Sequence, residues 1–261
     1  MPKLKQKDRF LDFSDYGRGF GNFLAKKLQY SPVTPIHVTL MFGFCGILAT
    51  LCMLNGNYIW AGFLLILKSG IDAADGELAR RKNTPSYSGR YLDSIFDYVL
   101  NFLFLATIMR ITNASLILFC VAFFSIQLQG TLYNYYYVIV RNKSKGGDGT
   151  SKIFEIQAPQ ALPGESQKAV NVLFKVYFLF YGIFDKIIYS LDSQASETKR
   201  FPGWFMTMVS IYGLGFQLLI MAIMLALNQI SNILYVLIFM NLPFFVFIVI
   251  RKRLEKDNET K

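Results

Sequence analysis

Ile66-Leu67-Lys68-Ser69-Gly70-Ile71-Asp72-Ala73-Ala74-Asp75-Gly76-Glu77-Leu78-Ala79-Arg80 is the stretch on which the fold turns. It follows an apolar run that opens at Tyr58 and stops at Leu67. Ten helical residues are about 15 Å long, and a bilayer core needs about 30 Å. The helix must therefore continue through Lys68, Asp72 and Asp75 to about Arg80. The same arithmetic applies downstream. After Asp97 only residues 98–109 are apolar, about 18 Å of helix, so that helix must start near Gly89. Two neighbouring helices thus carry carboxylates at membrane depth.

The rest of the chain agrees with a membrane setting. Of its 261 residues 53% are hydrophobic, and the mean hydropathy is +0.36. Soluble domains sit near about 45–50% apolar. The expected fold is all-α: an integral membrane helical bundle in one domain over residues 1–261. Six transmembrane helices are expected at about 36–54, 58–80, 89–109, 114–140, 204–227 and 230–250. Residues 1–33 read as an interfacial N-terminal segment. There Phe13, Tyr16, Phe20, Phe23 and Leu24 stand at helical spacing, and no apolar core of a secretory signal is visible. Residues 141–203 read as a cytoplasmic loop with an interfacial helix at 169–191. Lys175, Asp185 and Lys186 interrupt that helix, and a seventh span is the alternative.

The formal net charge is +10. In the six-span arrangement Lys26-Lys27, Arg80-Arg81-Lys82, residues 141–145, Lys199-Arg200 and residues 251–253 fall on one side. That side is expected to be cytoplasmic, facing anionic lipid. A bacterial protein of this kind would be a multi-pass protein of the inner membrane. A seventh span would carry Arg251-Lys252-Arg253 to the opposite side, which favours six. The basic residues form no stripe with interleaved aromatics, so no nucleic-acid partner is expected. Cys45, Cys52 and Cys120 lie in apolar runs without metal-ligand spacing and read as buried hydrophobes. His37, the single histidine, reads as packed or interfacial.

Asp72 and Asp75 are three apart and share a helix face; Asp93 and Asp97 are four apart and do the same. A short turn through Thr84-Pro85-Ser86 makes their helices antiparallel neighbours. Four carboxylates then aim at one volume, and each costs about 2.5–3.5 kcal/mol at mid-membrane. Cations must compensate them, and an all-oxygen donor set favours Mg²⁺ or Mn²⁺ over zinc. Gly76, Ala79 and Gly89 remove bulk beside the acids, where a diphosphate could approach the backbone. Arg80 is placed to pair with a phosphate. Against this stands plain helix packing through small residues.

The order Asp-x2-Asp-Gly-x2-Ala-Arg-x8-Gly-x3-Asp-x3-Asp over residues 72–97 resembles the signature of the CDP-alcohol phosphotransferase (CDP-alcohol phosphatidyltransferase) family. Every fixed position and every gap matches. The resemblance implies six transmembrane helices, often a homodimer, and two divalent ions. Asp72, Asp75 and Asp93 would be metal ligands, with Asp97 also near the metals. Asp97 would be the catalytic base for the acceptor hydroxyl. Gly76, Ala79, Arg80 and Gly89 would hold the CDP moiety. The alcohol would attack the phosphorus distal to cytidine and release CMP, with no covalent enzyme intermediate. Ile36 stands where members often carry asparagine after Pro35, so a cytidine contact from that side chain is missing. Thr39 is the remaining candidate nearby.

The partners implied are a CDP-linked donor, an alcohol acceptor and membrane lipid. CDP-diacylglycerol with a small polar alcohol leads. The alternative donor is CDP-choline or CDP-ethanolamine, acting on diacylglycerol or a ceramide-like lipid. An ion transporter would spread its acids along a path, whereas these cluster. Lys68 shares the face of Asp72 and Asp75, and either neutralises an acid, reaches substrate phosphate or snorkels. Gly146-Gly147-Asp148-Gly149-Thr150 resembles a phosphate-binding run of lipid and NAD kinases but has no soluble α/β domain around it, so it reads as a loop. Arg141, Lys143 and Lys175 could serve an anionic acceptor, although positive-inside bias already accounts for them. Tyr133, Tyr135, Tyr136 and Tyr137 read as an interfacial aromatic belt.

Overall fold

The computed structural model describes residue 4 and residues 6–144, 149–198 and 200–259. Most of the Gly146 to Thr150 run lies outside them, as does Lys199. The described residues form helices and no strand. In chain order these are α1 (Arg18–Leu28), α2 (Pro35–Leu54), α3 (Tyr58–Lys82), α4 (Tyr87–Thr112) and α5 (Leu116–Lys143). There follow α6 (Gln167–Leu191), α7 (Gly203–Val209), α8 (Leu214–Ala226), α9 (Ile233–Phe239) and α10 (Phe244–Glu259).

The helix ends follow from local chemistry. Pro35 opens α2, and Thr34 and His37 cap it reciprocally: the Thr34 N–H donates to His37 Nδ1 at 3.0 Å and the His37 N–H to Thr34 Oγ1 at 3.4 Å. The lone histidine is thus a cap. Ser86 Oγ accepts from the Gly89 N–H at 2.8 Å to start α4, and Ser115 starts α5 in the same way. Asn83 and Asn113 close α3 and α4 in the left-handed region, at φ 51° and 52°.

Four helical segments are long and apolar enough to cross a membrane: α2, α4, α5 and the run Ile230–Leu254. Gly203–Tyr212 with Leu214–Ala226 makes a fifth if the 52° bend between them lies within one span. The α3 helix fails that test of composition because of its charged half, yet it runs unbroken over 25 residues, as the arithmetic on its short apolar run requires. Large apolar side chains point outward all round the bundle, among them Phe44, Ile59, Trp60, Ile117 and Phe239. So much exposed apolar surface belongs in lipid.

Two departures from the sequence expectation bear on the site. The N-terminal segment is not one helix from Phe13 onward. Residues 13–15 make a single 3-10 turn capped by Asp12, and α1 begins only at Arg18. The α1 helix packs on α3, close because Gly17 meets the Ser69-Gly70 backbone and Gly21 meets Ala73 and Ala74. The expected fifth span is broken at Gly213, where the backbone turns extended. Ser14 fills the break, lying where a Cβ on Gly213 or Gly215 would stand. The Phe13 N–H donates to Ser210 Oγ at 3.0 Å across the same joint.

The α6 helix begins and ends on one end of the bundle. Its first turns pack on Tyr87 and Tyr91 at the start of α4. Its C-cap, Asp192, accepts from the hydroxyls of Tyr135 and Tyr136 at 2.9 and 2.7 Å. Phe102 of α4 lies against Phe119 and Phe123 of α5, which sets Tyr135 about level with the start of α4. The Arg251 guanidinium reaches the same place, its Nε 2.7 Å from Asp192 Oδ2.

In the last span Pro243 cannot donate a backbone N–H, and the chain tightens into turns before α10. The freed carbonyls find side chains: Gln129 Nε2 donates to Leu237 O at 2.9 Å and Tyr212 Oη to Met240 O at 2.8 Å. Such repair is what tolerates proline inside lipid.

Candidate active site

Helices α3 and α4 bring the four aspartates together. One carboxylate oxygen each from Asp72, Asp75 and Asp93 lie within 4.8 Å of one another. The Thr39 hydroxyl donates to Asp75 Oδ2 at 2.9 Å. This sets Thr39 beside a metal-ligand candidate. Asp97 lies one helical turn further along α4 and is drawn to Lys68.

Lys68 is 1% exposed. Its Nζ donates to Asp72 Oδ2 at 2.8 Å and to Asp97 Oδ1. The Phe42 ring lies behind it, its centre 4.5 Å from Nζ. The geometry buries this lysine and pairs it with two of the acids.

One ammonium still leaves three of four carboxylates without a counter-charge inside the cluster. Asp93 Oδ1 is buried and has no hydrogen-bond partner. A buried carboxylate oxygen without a donor is costly, and an all-oxygen trio within a few ångströms is the donor set of a hard divalent cation. The residues present therefore fit such an ion.

The acids line a cavity of about 960 Å³. Gly76, Ala79, Arg80 and Gly89, the expected CDP contacts, line it as well. A Cβ on Gly76 would meet only the far end of Arg80, at 3.4 Å, so the glycine leaves a notch open to the cavity. Arg80 is held by Glu77 at 3.0 Å, while its buried Nε has no hydrogen-bond partner. The Gly89 N–H is already taken by Ser86, and a Cβ on Gly89 would crowd that cap, 3.1 Å from Ser86 Oγ. Arg141 also lines the cavity, with a bond to Ser151 at 3.2 Å. Lys143 instead bonds the Thr198 carbonyl, and Lys175 is exposed on α6. Tyr133 bonds Asp12 at 2.5 Å, and Tyr135 and Tyr136 serve Asp192. Tyr133, Tyr135 and Tyr136 are thus internal hydrogen-bonding groups rather than a belt, and the buried Tyr137 Oη has no hydrogen-bond partner.

Several cavity residues had no signal of their own in the sequence. Asp12, Ser14 and Gly17 come from the N-terminal segment, Tyr177, Tyr181 and Asp185 from α6. Burial holds Asp185 above the usual carboxylate range, against a hydrogen bond from Tyr177. Arg90 follows directly on Gly89 inside the motif and was readable there. It grips Glu155 through both carboxylate oxygens at 2.7 Å, and Tyr91 joins at 2.8 Å. This clamp ties the loop before α6 to α4.

The CDP-alcohol phosphatidyltransferase family matches residues 33–247. The chain belongs to that family. The match covers the acid quartet, every expected CDP contact and all of α2 to α9. The curated bifunctional IPC transferase and DIPP synthase of Thermococcus kodakarensis is 31% identical over 157 residues, 60% of this chain. The matched stretch is 34% of that protein, so the chain spans about a third of its length. Membership, together with the apolar helices, makes the chain a multi-pass integral membrane protein. Asp12, Ser14 and Gly17 line the cavity from outside the matched residues.

Proposed function

We propose that the chain transfers a substituted phosphate from a CDP-linked donor, best CDP-diacylglycerol, to the hydroxyl of a small polar alcohol, releasing CMP. The observation that carries this is the convergence of Asp72, Asp75, Asp93 and Asp97 with Gly76, Ala79 and Arg80 on one cavity wall. A divalent cation, Mg²⁺ or Mn²⁺, held by Asp72, Asp75 and Asp93 would supply positive charge to the diphosphate. Thr39 fixes the orientation of Asp75 for that task. Gly76 and Ala79 let the diphosphate lie close to α3, and the free Nε of Arg80 offers it a donor.

Asp97 is held by Lys68 through Oδ1 alone. As base it takes the acceptor's proton while the acceptor oxygen bonds to the phosphorus distal to cytidine. The anhydride bond on that phosphorus breaks, and its electron pair leaves with CMP. A polar acceptor is supported by the far side of the cavity, where Asn134, Arg141, Lys152 and Asp185 give it donors and an acceptor. The relative's IPC transferase and DIPP synthase names fit a phosphotransfer of this class without deciding the alcohol.

We read the bundle as six spans, with α6 lying in the interface. The course of α6 supports this, as does its outer face, which mixes Val172, Leu179 and Ile183 with Lys168, Lys175 and Lys186. We read α1 at the same level, which the outward-facing Phe20 and Phe23 support. The acids then open toward the basic, cytoplasmic end.

The test is CMP release by the purified chain in lipid with Mg²⁺, offering CDP-diacylglycerol, CDP-choline and CDP-ethanolamine in turn with small alcohols and with diacylglycerol. Release from CDP-diacylglycerol with a small alcohol is expected. Release only with a lipid acceptor would reverse the assignment of donor and acceptor. No CMP from any pair, with ion flux into liposomes, would sink the enzyme reading.

A further inference from the structure

Lys68 is the one cation bonded within the acid cluster among the described residues, and its placement divides the cluster in two. On one side the oxygens of Asp72, Asp75 and Asp93 lie within 4.8 Å of one another, the span of a single ion's ligands. On the other side Nζ bridges Asp72 Oδ2 and Asp97 Oδ1. The lysine is 1% exposed and backed by the Phe42 ring, 4.5 Å away. It does not snorkel out, and aromatic contact holds it independently of the acids.

A second divalent ion in a two-metal site stands about 3.5–4 Å from the first and shares a bridging ligand with it. Here the gap it would enter lies between Asp72 and Asp97, which the ammonium already spans. Ammonium and divalent ion would compete for the same oxygens and repel each other in a medium of low dielectric.

We propose that Lys68 takes the place of a second metal ion, so that the centre holds one divalent cation at Asp72, Asp75 and Asp93 with a fixed ammonium between Asp72 and Asp97. This rests on reading the acids as a metal centre, and it differs from the two ions that the resemblance implies. Lys68 is then a positioning residue. It supplies charge and fixes Asp97 by one oxygen, but it coordinates nothing.

The test is a count of Mn²⁺ on the full chain in lipid nanodiscs without substrate, by equilibrium dialysis and by EPR. One ion per chain is expected, with the sharp hyperfine lines of isolated Mn²⁺. Lys68→Gln should take up a second ion, and its spectrum should broaden through spin coupling. Lys68→Met serves if the glutamine variant does not fold, and Lys68→Arg should keep the count at one. Two coupled ions in the unsubstituted chain overturn the proposal, as does a single ion in both that chain and Lys68→Gln. Absence of bound Mn²⁺ from both overturns the metal centre with it. CMP release is measured separately. A chain that binds one ion and releases no CMP breaks the proposed reaction and leaves the role of Lys68 standing.

Discussion

Two of the buried ionic centres among the described residues are built on opposite plans. At the end of α6, Asp192 meets Arg251, with side chains 0% and 1% exposed. Tyr136 and Thr198 complete the set at 2.7 and 3.3 Å. Among the described residues one carboxylate meets one guanidinium, and both are closed off from solvent. On the cavity wall the four motif aspartates cluster about one lysine, Asp93 Oδ1 has no partner, and the space is open to a ligand. Equal charge with full hydrogen bonding marks a structural joint. Excess charge beside an open volume marks a place where something else binds and reacts.

Substitutions at the two centres should therefore fail in different ways. Asp97→Asn should reduce turnover by about 10³-fold or more, within the range for loss of a general base, while CDP-donor binding and thermal unfolding in detergent stay near those of the unsubstituted chain. Near-normal turnover would remove Asp97 as the base. Arg251→Ala should instead cost about 3–5 kcal/mol of stability by stranding Asp192, seen as an early thermal transition. The paired change Arg251→Met with Asp192→Asn should recover most of it, and Mn²⁺ binding by the folded fraction should not change. Arg251→Ala with an unchanged melting profile would erase the distinction.

The glycines give a finer version of the same contrast. Gly215→Ala drives a methyl into Ser14 O and should cost about 1–3 kcal/mol, measured by unfolding. Gly76→Ala meets only the tip of Arg80, so its melting should hold while donor affinity falls about tenfold, the scale of one methyl in a binding site. A loss of stability at Gly76 would make it a packing residue.

The smallest effect is expected at Glu165. It accepts from Ser86 Oγ, the Tyr87 N–H and the Ser88 N–H at 2.8, 3.1 and 2.7 Å, at the N-terminus of α4. Burial alone would raise its pKa, but these bonds, led by that from Ser88, outweigh burial and lower it. A lowered folded pKa contributes stability above the unfolded value, about 4.3. That contribution is lost as pH falls through the folded value. Glu165→Gln should thus be less stable by about 1 kcal/mol near neutral pH, with the difference closing in acid. A difference independent of pH would remove the carboxylate as its source.

The acid quartet was legible because its spacing is local: Asp72 and Asp75 are three apart, Asp93 and Asp97 four, and a single helix-turn-helix joins the two pairs. The length of α3 was legible for the same reason, since a bilayer sets a minimum that Tyr58 to Leu67 cannot meet. The Asp192 and Arg251 pair is 59 residues apart in sequence and carries no local sign; Arg251 read as one more basic residue at a span end. The break at Gly213 was hidden too. A glycine in an apolar run is ordinary, and this one matters only because Ser14 arrives from the other end of the chain. Lys68 was legible in position but not in role, which depended on where Asp97 came to rest.

That joint at Gly213 has a consequence for the order in which the protein is made. Phe13 and Ser210, which bond across it, are 197 residues apart. At about 5–20 residues per second of synthesis, the first residues wait some tens of seconds for the helix break they fill. Asp12 and Ser14 belong to the cavity wall, so the wall closes only after residues 210–217 have emerged. A nascent chain holding the complete acid motif is, for that interval, an enzyme without its reaction chamber.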